Sequence, residues 1–143
     1  MVCLGNGIDL AKQVAEELGV KDQIIFKGNV TNVRSFLAES DIYVHSAYYE
    51  PFGLVLLEAM AAGLPVVCLN GGGNADIIES GVNGWMIDPL DGEKFTKKIK
   101  SLIENKEDYK KIAERGQETA KEYGIQIYCD KLIAIYSASL EKT

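Results

Sequence analysis

Two glutamates, Glu50 and Glu58, stand in the segment Ser46-Ala47-Tyr48-Tyr49-Glu50-Pro51-Phe52-Gly53-Leu54-Val55-Leu56-Leu57-Glu58-Ala59-Met60-Ala61-Ala62-Gly63. Pro51 keeps Glu50 out of a helical conformation and is itself suited to open a helix. Gly53 lets the backbone approach a ligand, and the helix start offers unpaired N–H groups to an anion. Glu58 falls among Val55, Leu56, Leu57, Ala59 and Met60, where a carboxylate buried without partners would be costly. Two explanations stay open from the residues alone. Either the helix face reaches solvent or a structural ion pair, or a sugar or ribose diol donates two hydroxyls to the carboxylate.

Two further segments carry glycines where phosphate chemistry needs them. Gly5-Asn6-Gly7-Ile8-Asp9-Leu10 resembles the start of a dinucleotide fingerprint. Leu10 stands in place of the third glycine, however, and Gly28 stands near the expected ribose-binding acid. A tight turn accounts for this segment, and close approach to a phosphate remains open. In Asn70-Gly71-Gly72-Gly73-Asn74 three glycines lead into a helix. They form either an array of N–H donors for phosphate or sugar oxygens, or a flexible loop. His45, just before Ser46, reads as a structural histidine at a strand end.

These segments need a scaffold, and the chain alternates strand-like and helix-like runs up to about position 104. Short apolar runs at 2–4, 24–27, 42–45, 65–69 and 84–87 are rich in Val and Ile, as in strands covered on both faces. Amphipathic stretches lie near 8–18, 32–39, 53–62 and 74–80. Gly19, Gly63 and Gly81 follow three of them at positions suited to helix C-termini. The alternation implies an α/β fold, a parallel Rossmann-like sheet with helices on both faces. Ligands then bind at the carboxyl ends of the strands, where all three segments fall. From 91 the pattern is helical to 143: Asp91 as an N-cap, a second helix over 106–123, and a last one. Tyr128, Leu132, Ile135, Tyr136 and Leu140 form an apolar stripe on that helix, expected to pack. One domain over 1–143 is expected, with 91–143 as its C-terminal helical segment.

The 143 residues are 47% hydrophobic and 25% charged, which suits one globular core. A formal net charge of -6 argues against nucleic acid as a partner. Cys3, Cys68 and Cys129 lack metal-ligand spacing and read as free thiols of a reducing compartment. No run approaches a membrane span. The chain opens directly on a strand, so it is expected to be a piece of something larger, with the first part of the domain missing.

The run from Glu50 to Val67 resembles the signature of glycosyltransferase family 4. Gly72-Gly73-Asn74-Ala75-Asp76-Ile77-Ile78-Glu79-Ser80-Gly81-Val82-Asn83-Gly84 is similar to that family's Gly-Gly-x-x-Glu-Ile-Val-x-x-Gly-x-x-Gly block, with Asp76 in place of glutamate. The first turn, the Phe26–Val30 segment and the ending near Tyr136 fall in the family's order, so the likeness covers essentially the whole chain. It implies the C-terminal, donor-binding half of a GT-B fold in a retaining glycosyltransferase. Glu58 would then hold the ribose hydroxyls, and Glu50 the donor sugar as an orienting, charge-stabilising catalytic residue. The backbone at Phe52, Gly53, Leu54 and Val55 would face sugar and diphosphate, as would Gly72 and Gly73 on their loop. Gly5 and Gly7 would lie close to the phosphates, and the loop reaching Val30 would flank the base.

The resemblance implies no cofactor and no metal beyond the nucleoside diphosphate sugar, since no Asp-x-Asp element occurs. The diphosphate-binding arginine and lysine and the N-terminal acceptor domain would lie upstream, so this chain alone is expected to be inactive. The acceptor is left open among sugar, glycan and lipid. The expected location is cytoplasmic, with the missing domain able to touch a membrane. A GT-B nucleotide-sugar epimerase and a non-catalytic sugar-nucleotide-binding module are the alternatives.

Overall fold

Alternate side chains of a strand point to opposite faces, and the run Val66–Leu69 uses both. In the computed structural model, which describes residues 1–140, every residue of this strand is buried. Val66 and Cys68 pack into one apolar cluster with Leu56, Met60, Leu64, Ile77 and Ile78. Val67 packs into another, with Ile87 and Leu102. A sheet covered on both faces follows directly from that alternation.

The chain forms two compact units, residues 1–36 and 37 onward. The first holds β1 (Val2–Leu4), α1 (Ile8–Glu17), a 3₁₀ turn at Lys21–Gln23 and β2 (Ile25–Gly28). β1 and β2 pair in parallel, Val2 beside Ile25 and Cys3 beside Phe26. Helix α1 buries Ala15 and stops before Gly19, whose φ of 67° belongs to the left-handed region that ends helices. Helix α2 (Val33–Ala38) straddles the unit boundary, and its Leu37 joins the core of the second unit.

The second unit holds β3 (Tyr43–His45), α3 (Leu54–Ala61), β4 (Val66–Leu69), α4 (Asn74–Ile77) and β5 (Trp85–Ile87). Helices α5 (Gly92–Glu104), α6 (Lys106–Glu122) and α7 (Ile125–Leu140) follow. The strands lie in the order β3-β4-β5, all parallel, with Tyr43 beside Val66 and Val67 beside Trp85. Helices α3 and α6 pack closely on each other and on β4, while α5 packs on β4 and β5. Gly116 makes this approach possible, since a Cβ there would meet the Asn83 carbonyl at 3.2 Å and Met60 Cγ at 3.3 Å. Asp91 caps α5 by accepting from the Lys94 amide at 2.9 Å, as expected from its position.

Polar side chains of α6 and of its C-cap Tyr123 tie it to α4 and to the turns beside the sheet. Tyr109 donates its hydroxyl to the Asp41 carbonyl at 2.8 Å, and Tyr123 donates to the Asp76 carbonyl at 2.9 Å. Buried Asn83 donates to the Ile77 carbonyl and to Thr119 Oγ1, and accepts from the Glu79 amide.

Two expectations need correction. Helix α4 ends at Ile77, short of position 80, because Asn83 Oδ1 takes the Glu79 amide and Ser80 bridges to Gly84. Gly81 therefore serves a turn, not a helix end. The stripe on α7 does not pack: that helix buries no residue, and Tyr128, Ile135, Tyr136 and Leu140 are all exposed. Helical spacing shows that the residues share a face, but the described chain supplies no surface against it.

Candidate functional site

The site builds up around the start of α3. Pro51 and Gly53 hold the backbone between β3 and α3 in a sharp turn, with Gly53 at φ 93° as the N-cap. An added Cβ at Gly53 would sit 2.9 Å from Ile77 Cδ1, so both conformation and space require glycine. The Glu50 carboxylate reaches forward across this turn. Its Oε1 accepts from the Gly53 amide at 3.1 Å and, at longer range, from the Phe52 amide at 3.5 Å. Glu50 thus takes one of the N–H groups that a helix start leaves free. Among the described residues no group accepts from the amides of Leu54 and Val55.

The second Glu50 oxygen, Oε2, lies 3.3 Å from Nε2 of His45 at the end of β3. Both side chains are mostly buried, at 16% and 21% exposure. The pair is close but not aligned as a hydrogen bond, and His45 Nε2 is otherwise without a partner. Tyr43, two residues earlier on the same strand face, stacks on the imidazole with centroids 6.2 Å apart.

Glu58 is not buried among its apolar neighbours. It is exposed while Leu57 and Ala59 beside it are buried, so α3 turns this position, like Leu54 and Ala61, to solvent. It also shares a neighbourhood with Glu50. The Tyr43 hydroxyl is pushed up to about 12 by burial first, then by the negative charge of Glu58 and of Glu50. Both carboxylates therefore act on the same buried phenol.

Gly71, Gly72 and Gly73 have a packing role in this structure. A Cβ at Gly71 would lie 2.2 Å from the Tyr48 carbonyl oxygen, one at Gly72 2.2 Å from that of Glu50, and one at Gly73 2.8 Å from that of Pro51. The Gly73 amide donates to the Glu50 carbonyl at 2.7 Å. The glycine loop is thus pressed backbone to backbone against the Glu50 turn and helps set its shape.

The structure brings Glu50, Phe52, Gly53, Leu54, Val55, Glu58, Gly72 and Gly73 together in the second unit. Gly5, Gly7 and Val30 belong to the first. There Gly7 is the N-cap of α1 at φ 72°, and the Gly5 amide donates to the Gly28 carbonyl at 2.9 Å. Asn74 is the residue that sequence reasoning missed. It is fully buried, donates to the Leu69 carbonyl at 2.9 Å, and leaves its Oδ1 without a partner. After three glycines an asparagine reads as a turn residue. Its one distinguishing signal is a position within reach of the end of β4.

A parallel sheet covered by helices, with loops at its carboxyl ends, defines a Rossmann-like α/β class of domain. Residues 2–119 match the family described as Glycosyl transferases group 1, and the chain belongs to it. The lipopolysaccharide core biosynthesis glycosyltransferase LpsE of Rhizobium meliloti (strain 1021) is 37% identical over 81% of this chain and 35% of its own length. The N-acetyl-alpha-D-glucosaminyl L-malate synthase of Bacillus anthracis is 30% identical over 95% of this chain and 35% of its own length. The chain thus spans about a third of the curated relatives it matches. The crystal structure of Anabaena Alr3699/HepE in complex with UDP superimposes with a TM-score of 0.86 at 27% identity, covering 96% of this chain and 40% of that one. Its complex with UDP-glucose gives 0.82 at 28%. The fold is accordingly the Rossmann-like domain of GT-B glycosyltransferases. Among the described residues no helix is long and apolar enough to cross a membrane.

Proposed function

We propose that this chain is the nucleotide-sugar-binding part of a retaining glycosyltransferase. In the reaction, the bond between the anomeric carbon and the diphosphate oxygen breaks. An acceptor hydroxyl oxygen then bonds that carbon on the same face, and its proton passes to the departing diphosphate. The observation that supports this reading best is the pairing of functions at α3. Glu50 caps the helix start, and exposed Glu58 stands one helical stretch further along, both close to Tyr43. Glu58 offers two carboxylate oxygens to a ribose diol. Glu50 orients the donor sugar and steadies charge at its anomeric centre, while the Leu54 and Val55 amides face the diphosphate oxygens. Gly72 and Gly73 serve by holding the Glu50 turn in place. We propose no metal and no cofactor in this chemistry.

Transfer itself draws on the two thirds of the relatives that this chain does not span, so the chain alone should bind a donor without turning it over. An acceptor held in line is a large part of catalysis. Calorimetry tests the division of roles. Glu58→Gln should weaken UDP and UDP-glucose alike by about 1.5–3 kcal/mol, the scale of a charge-assisted hydrogen bond. Glu50→Gln should spare UDP and weaken only UDP-glucose. Unchanged affinity in folded Glu58→Gln protein would remove the ribose role.

A further inference from the structure

We propose that His45 is a positioning residue that fixes the orientation of the Glu50 carboxylate; its bearing on a donor sugar rests on the reading of Glu50 given above. The carboxylate is held from two sides by two different elements. Oε1 belongs to the start of α3 through the Gly53 and Phe52 amides. Oε2 belongs to the end of β3, where His45 Nε2 comes to 3.3 Å. A carboxylate with one oxygen anchored still swings about that anchor, and a second contact across the turn removes the swing. His45 Nε2 is buried and has no other partner, and an unpaired buried N–H is strongly disfavoured. A small rotation of the carboxylate completes the bond without disturbing the Gly53 cap.

The ring itself is well placed for this task. Tyr43 stacks against it at an interplanar angle of 15°, which fixes the imidazole plane, and pairing with β4 fixes the strand, His45 beside Cys68. The titratable groups near the pair among the described residues include Tyr43, Cys68 beside His45 on β4 and, through Tyr43, Glu58. No cation among them competes with His45 for Glu50. The contact of the histidine with the proposed site runs through Glu50 Oε2.

The Gly53 amide resonance reports this directly, because Glu50 Oε1 is its acceptor. In ¹⁵N-labelled protein, His45→Phe keeps a ring against Tyr43 but removes the donor. It should move the Gly53 resonance toward its position in Glu50→Gln. His45→Gln restores an N–H close to the Nε2 position and should bring it back toward wild type. With ligands, His45→Phe should weaken UDP-glucose by about tenfold, the loss of one hydrogen bond, and leave UDP unchanged. A Gly53 resonance that stays at its wild-type position in His45→Phe overturns the proposal. So does His45→Gln behaving like His45→Phe with an equal drop in melting temperature, which marks a packing role. If His45→Phe loses its melting transition, His45→Leu takes its place in the same comparison. A resonance that moves as expected while the wild-type chain binds UDP and UDP-glucose equally upholds the hold of His45 on Glu50. That result instead refutes the sugar contact assigned to Glu50.

Discussion

Helices α3 and α7 are both written largely in apolar residues, yet one is the centre of the second unit and the other lies on its outside. In α3, Leu56, Ala59 and Met60 are completely buried, and the one charged position, Glu58, is turned outward. In α7 no residue is buried, and Ile125 and Leu140 are 76% and 78% exposed. Apolar content is therefore no guide to stability contribution by itself. What matters is whether another element supplies a matching surface, as α6 and β4 do for α3.

The contrast should be largest in the core. Leu56→Ala should cost about 2–5 kcal/mol in urea unfolding, the range for a truncated core leucine. A loss below the bottom of that range would show α3 to be loosely packed. Next in size is the loop pressed on the Glu50 turn. Gly72 has φ 58° and no room for a Cβ, so Gly72→Ala should cost about 1–3 kcal/mol. Donor affinity per folded molecule should fall with it as the turn shifts, and calorimetry beside a melting curve separates the two effects.

A smaller effect should appear in alkali. Burial pushes the Cys68 thiol up to about 12, and the Tyr43 hydroxyl is held at about 12 as well. The unfolded chain loses these protons from about pH 9 and pH 10 respectively, earlier than the folded one. Below pH 9 neither group makes stability depend on pH. Stability should then fall as the pH rises from 9 toward 12. Urea midpoints at pH 8 and pH 11 measure the loss, and Cys68→Ala should reduce it. Equal losses in wild type and Cys68→Ala would assign the alkaline sensitivity elsewhere. The smallest change belongs to α7, where Tyr136→Ser should alter stability by no more than about 0.5 kcal/mol. A larger loss would mean that this face is covered in solution.

The strands were legible in the sequence to within about one residue from their short apolar runs, but burial on both faces holds only for β4, since Val2, Ile25 and Val44 of β1, β2 and β3 are exposed. The Glu50–Glu58 segment was equally plain. Where reading failed, the deciding partner was distant in sequence. Asn83, engaged with Ile77 and Thr119, shortened α4. For the Gly71–Gly73 run, nothing local in the sequence reveals that the Tyr48–Phe52 backbone lies against it. The α7 stripe was read correctly as one face and wrongly as packed. His45 looked like an ordinary strand-end residue until its distance to Glu50 was known.

The ties from α6 have a consequence for the order of folding. Its three side-chain bonds reach back 68 residues to Asp41, 47 to Asp76 and 36 to Asn83. Each closes a long loop, and the entropy of closing a loop rises only with the logarithm of its length. Once any one of them forms, the same rigid helix brings the other two within reach. Docking of α6 is therefore expected to close these three long loops together. During synthesis from the N-terminus, the side of α3 that meets α6 waits uncovered until more than half of the unit's later residues have emerged.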